Sequence, residues 1–146
     1  MASNAIALNA PIIAVSGCPR YDAFKGRVRA YVNDGDAWTF DTFITASDAV
    51  SYDEFGSAVS LYRSCTLIPF PACLTRLAVG APWKYHGIEW GAGSAYVFSG
   101  TNWSEQAIFT HPFPDAFEAT FFGGEVALGF DNWIAIGAPF TNGADG

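Results

Sequence analysis

Two cysteines, Cys65 and Cys73, bracket the stretch Thr66-Leu67-Ile68-Pro69-Phe70-Pro71-Ala72. If the flanking segments pair as strands, the two sulfurs come within bonding distance. A disulfide is therefore predicted, and with it an oxidising compartment. The apolar tip between them carries Leu67, Ile68 and Phe70. It reads either as a preorganised partner-contact surface or as a cap folded over its own strands. The third cysteine, Cys18, sits in Gly17-Cys18-Pro19, where comparable triplets carry Ala81 and Ala138. A small buried position suits cysteine as a small hydrophobe, so a free and inert thiol is expected.

A second candidate is the loop Trp83-Lys84-Tyr85-His86-Gly87-Ile88-Glu89-Trp90. Trp83, Tyr85, His86 and Trp90 place rings beside polar groups, a composition that binds sugars by stacking and hydrogen bonding. The competing reading packs Trp83 and Trp90 against a neighbouring sheet. Asn102-Trp103-Ser104 fits an N-glycosylation acceptor at a turn, with Asn102 as the acceptor. Catalysis is not expected. His86 and His111 stand in no metal-ligand spacing, and there is no nucleophile elbow, phosphate-binding glycine loop or Cys-x-x-Cys. No cofactor and no metal are expected. Asn33-Asp34-Gly35-Asp36 has acids, but Asp-Gly between two strands reads as a type I′ hairpin turn.

The elements that hold these residues follow from composition. The chain of 146 residues is rich in glycine and aromatics and poor in charge. With one methionine and few helix formers, it suits close-packed strands joined by turns. The net charge of -7 argues against nucleic acid, whose phosphates demand a basic face. Lys25, Arg27 and Arg29 alternate and so share one face of a strand, either a solvated stripe or a docking patch for an acidic partner. No apolar run approaches the ~20 residues of a membrane helix, so no membrane insertion is expected. The start of the chain lacks the basic head of a signal peptide, so either the chain is cytoplasmic or its export signal lies outside this sequence.

A period of about 60 residues organises the whole. Gly17-Cys18-Pro19, Gly80-Ala81-Pro82 and Gly137-Ala138-Pro139 mark it, as do Phe55-Gly56 and Phe122-Gly123. Ala30-Tyr31-Val32 pairs with Ala95-Tyr96-Val97, and Trp38 with Trp103. The expected strands are Ile6–Leu8, 12–16, 27–32 and 38–45, then 58–63, 76–79, 94–98 and 103–110, then 122–128 and 133–136. The units are residues 1–50, lacking a Phe-Gly start; 51–117, complete; and 118–146, partial. Tyr96-Val97-Phe98 and Ile134-Ala135-Ile136 are apolar on both faces, so each small sheet is expected to lie between others.

These residues resemble the FG-GAP repeat of integrin-α-like β-propellers. Phe55-Gly56, Val59, Leu61 and Gly80-Ala81-Pro82 carry the likeness, as do Phe122-Gly123, Val126, Leu128 and Gly137-Ala138-Pro139. Gly26, Tyr31, Val32 and Gly93, Tyr96, Val97 match the strand that follows. The resemblance implies an all-β fold of about two and a half four-stranded blades, part of a larger propeller or assembly. It also implies an extracellular or cell-surface segment in adhesion or protein contact. The alternatives are a lectin-like propeller that binds glycan, or a structural subunit whose copies complete one another's sheets. Calcium, which the family often holds in the hairpin before Gly-Ala-Pro, is not expected. Gly129-Phe130-Asp131-Asn132 offers one carboxylate and the cysteine loop none, too few for a hard cation.

Overall fold

The computed structural model describes residues 6–9, 13–66, 72–86, 91–111 and 119–139. It is all-β apart from single tight turns. β1 (Ile6–Asn9), β2 (Ile13–Cys18), β3 (Arg27–Asn33) and β4 (Trp38–Ile44) form one antiparallel sheet in chain order. β5 (Ala58–Thr66), β6 (Ala72–Ala81), β7 (Ser94–Ser99) and β8 (Ser104–Thr110) form a second sheet of the same order. β9 (Glu125–Leu128) and β10 (Ile134–Gly137) make a hairpin. A tight turn, α1 (Tyr21–Phe24), with positive φ at Asp22, Ala23 and Phe24, leads into β3, and a second, Phe130–Asn132, with positive φ at Asp131 and Asn132, joins β9 to β10. Among the described residues, no helix is long and apolar enough to cross a membrane.

Each sheet has two faces because side chains alternate along a strand. On the first sheet Val15, Val28, Ala30 and Ile44 point one way and are buried. They meet Leu77, Val79, Tyr96 and Phe98 from the second sheet in one core cluster. The opposite face of the second sheet receives the β9–β10 hairpin, and the Leu128 N–H donates to Ser60 Oγ at 2.9 Å. We call the face turned toward the preceding sheet the front, and the other the back.

The Phe-Gly pair joins one sheet to the next. The Phe55 N–H donates to the Lys25 carbonyl at 3.0 Å, forming a bridge to Gly26. Its ring is fully buried, edge-on to Tyr96 at 5.3 Å and to Phe98 at 6.0 Å. The Gly56 N–H then donates to Gly80 at 2.9 Å. The second copy repeats this arrangement: Phe122 bridges Gly93, and the Gly123 N–H donates to Gly137 at 2.9 Å. The Gly-x-Pro glycines face these pairs. A methyl on Gly17 would overlap the Gly56 carbonyl oxygen, and one on Gly80 the Gly123 carbonyl oxygen. Glycine is required there by close backbone approach.

Several expectations need correction. Asp34-Gly35 does not make a type I′ turn, since Gly35 has φ of +112° but Asp34 is not in the positive-φ region. The side chains won instead. Asn33 Oδ1 accepts from Gly35 N–H, and Asp34 Oδ1 accepts from the N–H groups of Asp36 and Ala37 at 3.1 Å. Those bonds, Ala37 foremost, hold the Asp34 carboxyl below the usual carboxylate pKa. Tyr31 is not the counterpart of Tyr96. Counting from the bridging glycines Gly26 and Gly93, and from bulges at Ala30/Tyr31 and Val97/Phe98, Tyr31 matches Phe98 and Arg29 matches Tyr96. The β5–β6 hairpin is longer than expected and reaches the cysteines, and Trp103 lies in the turn before β8 rather than in it. Cys18 is free but half-buried. Its counterpart Ala81 is fully buried because the first sheet covers that front face, while nothing described covers the front of the first sheet.

Cys65 and Cys73 stand directly opposite on β5 and β6, with Cα atoms 4.0 Å apart, and are disulfide-bonded. Alkylation followed by mass spectrometry should therefore find one reactive thiol in the unfolded, unreduced chain and three after reduction. Three before reduction would contradict the bond. Reduction should lower stability by about 2–3 kcal/mol, in line with a short closed loop.

Candidate functional site

Pro82 ends β6, and the chain turns outward through Trp83, Lys84, Tyr85 and His86. Their side chains separate. The Trp83 ring is edge-on to Phe121 at 4.3 Å, so it packs against the segment leading to Phe122-Gly123. Tyr85 is exposed. His86 Nε2 lies 2.9 Å from Ser94 Oγ and 3.1 Å from the Gly93 carbonyl. Ser94 is fully buried, so this pair fastens the loop to the start of β7. Trp90 lies outside the described residues, as do Leu67, Ile68 and Phe70. The structure thus places the disulfide at the base of that tip but not the tip's side chains. Asn102 is exposed in the turn between β7 and β8.

Between the exposed and packed rings lies the least anticipated group, Lys84. Its side chain is 6% exposed. The ammonium donates to Asp53 Oδ2 at 2.9 Å and to the Asp48 carbonyl at 2.8 Å, and the Asp48 carboxylate lies 3.2 Å away. The Asp53 side chain is 1% exposed. Its Oδ2 also accepts from the Val50 N–H at 2.9 Å, while its Oδ1 has no hydrogen-bond partner. The Tyr96 hydroxyl donates to Asp48 Oδ1 at 2.8 Å. Burial first, and then this bond, push the phenol pKa far up, so Tyr96 stays a donor at alkaline pH. Ser47 adds bonds from its N–H and hydroxyl to the Glu105 carboxylate at 3.0 and 2.7 Å. The linker from β4 to β5 is thereby tied across the second sheet. A buried ion pair of this kind holds geometry, because breaking it leaves a charge without a partner.

Two surfaces lie apart from this network. One is a cleft of about 380 Å³ between the back of the second sheet and the hairpin, lined by Arg76, Val97, Gln106, Phe109, Leu128 and Ile134. The other is the front of the first sheet. Trp38, Phe40 and Phe43 on β4 are 45%, 51% and 46% exposed. The Arg27 guanidinium lies between the Tyr21 ring at 3.5 Å and the Phe43 ring at 3.7 Å. The alternation of Arg27 and Arg29 pointed to a shared face; the rings that accompany them come from β4 and α1, elsewhere in the chain.

Residues 38–69 match the family model for the FG-GAP repeat. No curated protein matches the chain. The matched segment begins on β4, crosses the Ser47–Glu54 linker, includes Phe55-Gly56 and runs up β5 into the cysteine hairpin. It therefore spans the connection between two sheets, the part of the chain that carries the inter-sheet contact.

Proposed function

From an FG-GAP repeat at residues 38–69, the premise of a β-propeller-like interaction module, we propose a non-catalytic propeller segment of about two and a half blades that makes protein–protein contacts outside the cell. The carrying observation is the twice-used docking of Phe-Gly onto the preceding Gly-x-Pro. It stacks sheets face to face and leaves outer faces available for partners. The Cys65–Cys73 bond supports an oxidising compartment. The buried Lys84 and Ser94 support structural rather than catalytic roles for the polar groups near the aromatic loop. The sugar-binding alternative loses one of its rings to packing, since Trp83 lies against Phe121.

The test is a photo-cross-linking amino acid at Phe109, in the cleft, in the full chain displayed where the protein is secreted. A discrete protein adduct is expected, together with silence on a glycan array. Glycan binding that Tyr85→Ala abolishes, without any protein adduct, would overturn the reading.

A further inference from the structure

The chain contains the same contact twice. The back of the first sheet receives the front of the second, and the back of the second receives the front of the β9–β10 hairpin. One front and one back are left without a partner among the described residues: the front of β1–β4 and the back of β9–β10. We propose that these two surfaces bind each other between copies, so that the first sheet of one chain docks on the β9–β10 hairpin of a second. This inference rests on the protein-contact reading above and names one partner for it.

The two surfaces carry opposite charge. The unmatched front presents Ile6, Trp38, Phe40 and Phe43, all exposed, with Tyr31 edge-on to Phe40 at 6.0 Å and Phe40 4.7 Å from Phe43. In the second sheet the equivalent face is core, since Phe98, the counterpart of Tyr31, is buried. Exposed aromatics in this number mark a contact surface rather than a solvated one. The same face holds Arg27 and Arg29, and among the described residues neither is in an ion pair. Arg20, Lys25, Arg27 and Arg29 are four of the chain's seven basic residues, so the remainder of this net -7 chain is strongly acidic.

The unmatched back carries one acid, Glu125, among small side chains. Glu125, Ala127 and Ala135 alternate outward and are exposed, while Val126, Leu128, Ile134 and Ile136 are less exposed. Counting from Phe-Gly, Glu125 stands where Ala58 is buried in the second sheet. Asp131 and Trp133, the latter 75% exposed, lie at its tip. Small side chains admit the front's rings, and Glu125 and Asp131 supply anions for its arginines. The contact is heterologous, because a front binds a back. Copies therefore add head to tail into chains or a closed ring rather than a two-fold dimer.

Sedimentation velocity of the full chain across a concentration series tests this. Self-association that weakens as salt rises is expected. Arg29→Glu and Glu125→Arg should each weaken it about tenfold or more by setting like charges opposite one another. An equimolar mixture of the two variants should associate again, because each front then meets an opposite back. Circular dichroism checks that both fold. Phe40→Ser serves as a second front variant and should weaken association with no salt dependence of its own. A chain monomeric at every concentration, or an association that neither reversal alters, overturns the proposal. A heterologous adduct at Phe109 in such a monomer would leave the contact reading standing; absence of both would remove the two together.

Discussion

Gly80→Ala is expected to destabilise the chain by about 3 kcal/mol or more, the cost of forcing a methyl into a filled backbone contact. Gly80 does not have positive φ, so the substitution introduces no backbone strain of its own. The penalty is steric and lies against one atom group, the Gly123 carbonyl. The hairpin must move off the second sheet or the second sheet must deform. Denaturant titration should show the loss, and hydrogen exchange should show protection falling first at β9 and β10. Gly35→Ala is the matched control. Nothing lies within 4 Å of a methyl at Gly35, so only its positive φ opposes alanine, at about 1 kcal/mol. Equal effects at both sites would contradict the close-contact role of the Gly-x-Pro glycine.

Lys84→Met should cost about 3–5 kcal/mol, because it removes the cation from a buried carboxylate. Asp53 is 1% exposed and its Oδ1 is already without a partner, so it has no route to water once the ammonium is gone. Asp53→Leu alone should be similarly harmful, leaving Lys84 with only Asp48. The double variant Lys84→Met with Asp53→Leu should recover much of the loss, since two apolar groups replace two charges. A double-mutant cycle on urea-unfolding free energies measures the coupling. Additive effects would show that the pair does not act as a unit.

The stacked sheets were legible because their contact requires particular residue types. Glycine alone fits between carbonyls at Gly17 and Gly80, and a large ring is needed to fill the space that Phe55 occupies, so both recur at a fixed period. The Cys65–Cys73 bond was legible because two cysteines flanking one hairpin loop come within bonding distance when their strands pair, although the strands run further toward the loop than expected. What escaped detection depended on partners distant in the chain. Lys84 has the composition of a surface residue, and only the fold brings Asp48 and Asp53 to it. The exposed rings of β4 sit at positions that would read as core in a half-buried strand, and exposure depends on what lies opposite. The Asp34-Gly35 turn followed local side-chain bonds rather than the dipeptide preference. Tyr31 and Tyr96 looked equivalent by residue type, whereas strand register made Arg29 the counterpart of Tyr96.

The charge pattern connects these observations. An acidic chain that gathers Arg20, Lys25, Arg27 and Arg29 in one short stretch, beside exposed Phe40 and Phe43, separates its surface into unlike regions. The buried network around Lys84 keeps the linker between sheets in place, so the outer faces are presented in a fixed relation. Stability and the proposed contact thus rest on different residues. Substitutions at Gly80 or Lys84 should lower stability, and those at Arg29 or Glu125 should change association without lowering it.

The most direct measurement of the central claim is a proton nuclear Overhauser experiment on the full chain in solution, observing the Phe55 ring. Cross-peaks to the rings of both Tyr96 and Phe98 are predicted, at distances set by centroids 5.3 and 6.0 Å away. A Phe55 ring without those cross-peaks and open to solvent would contradict the docking of Phe-Gly between sheets.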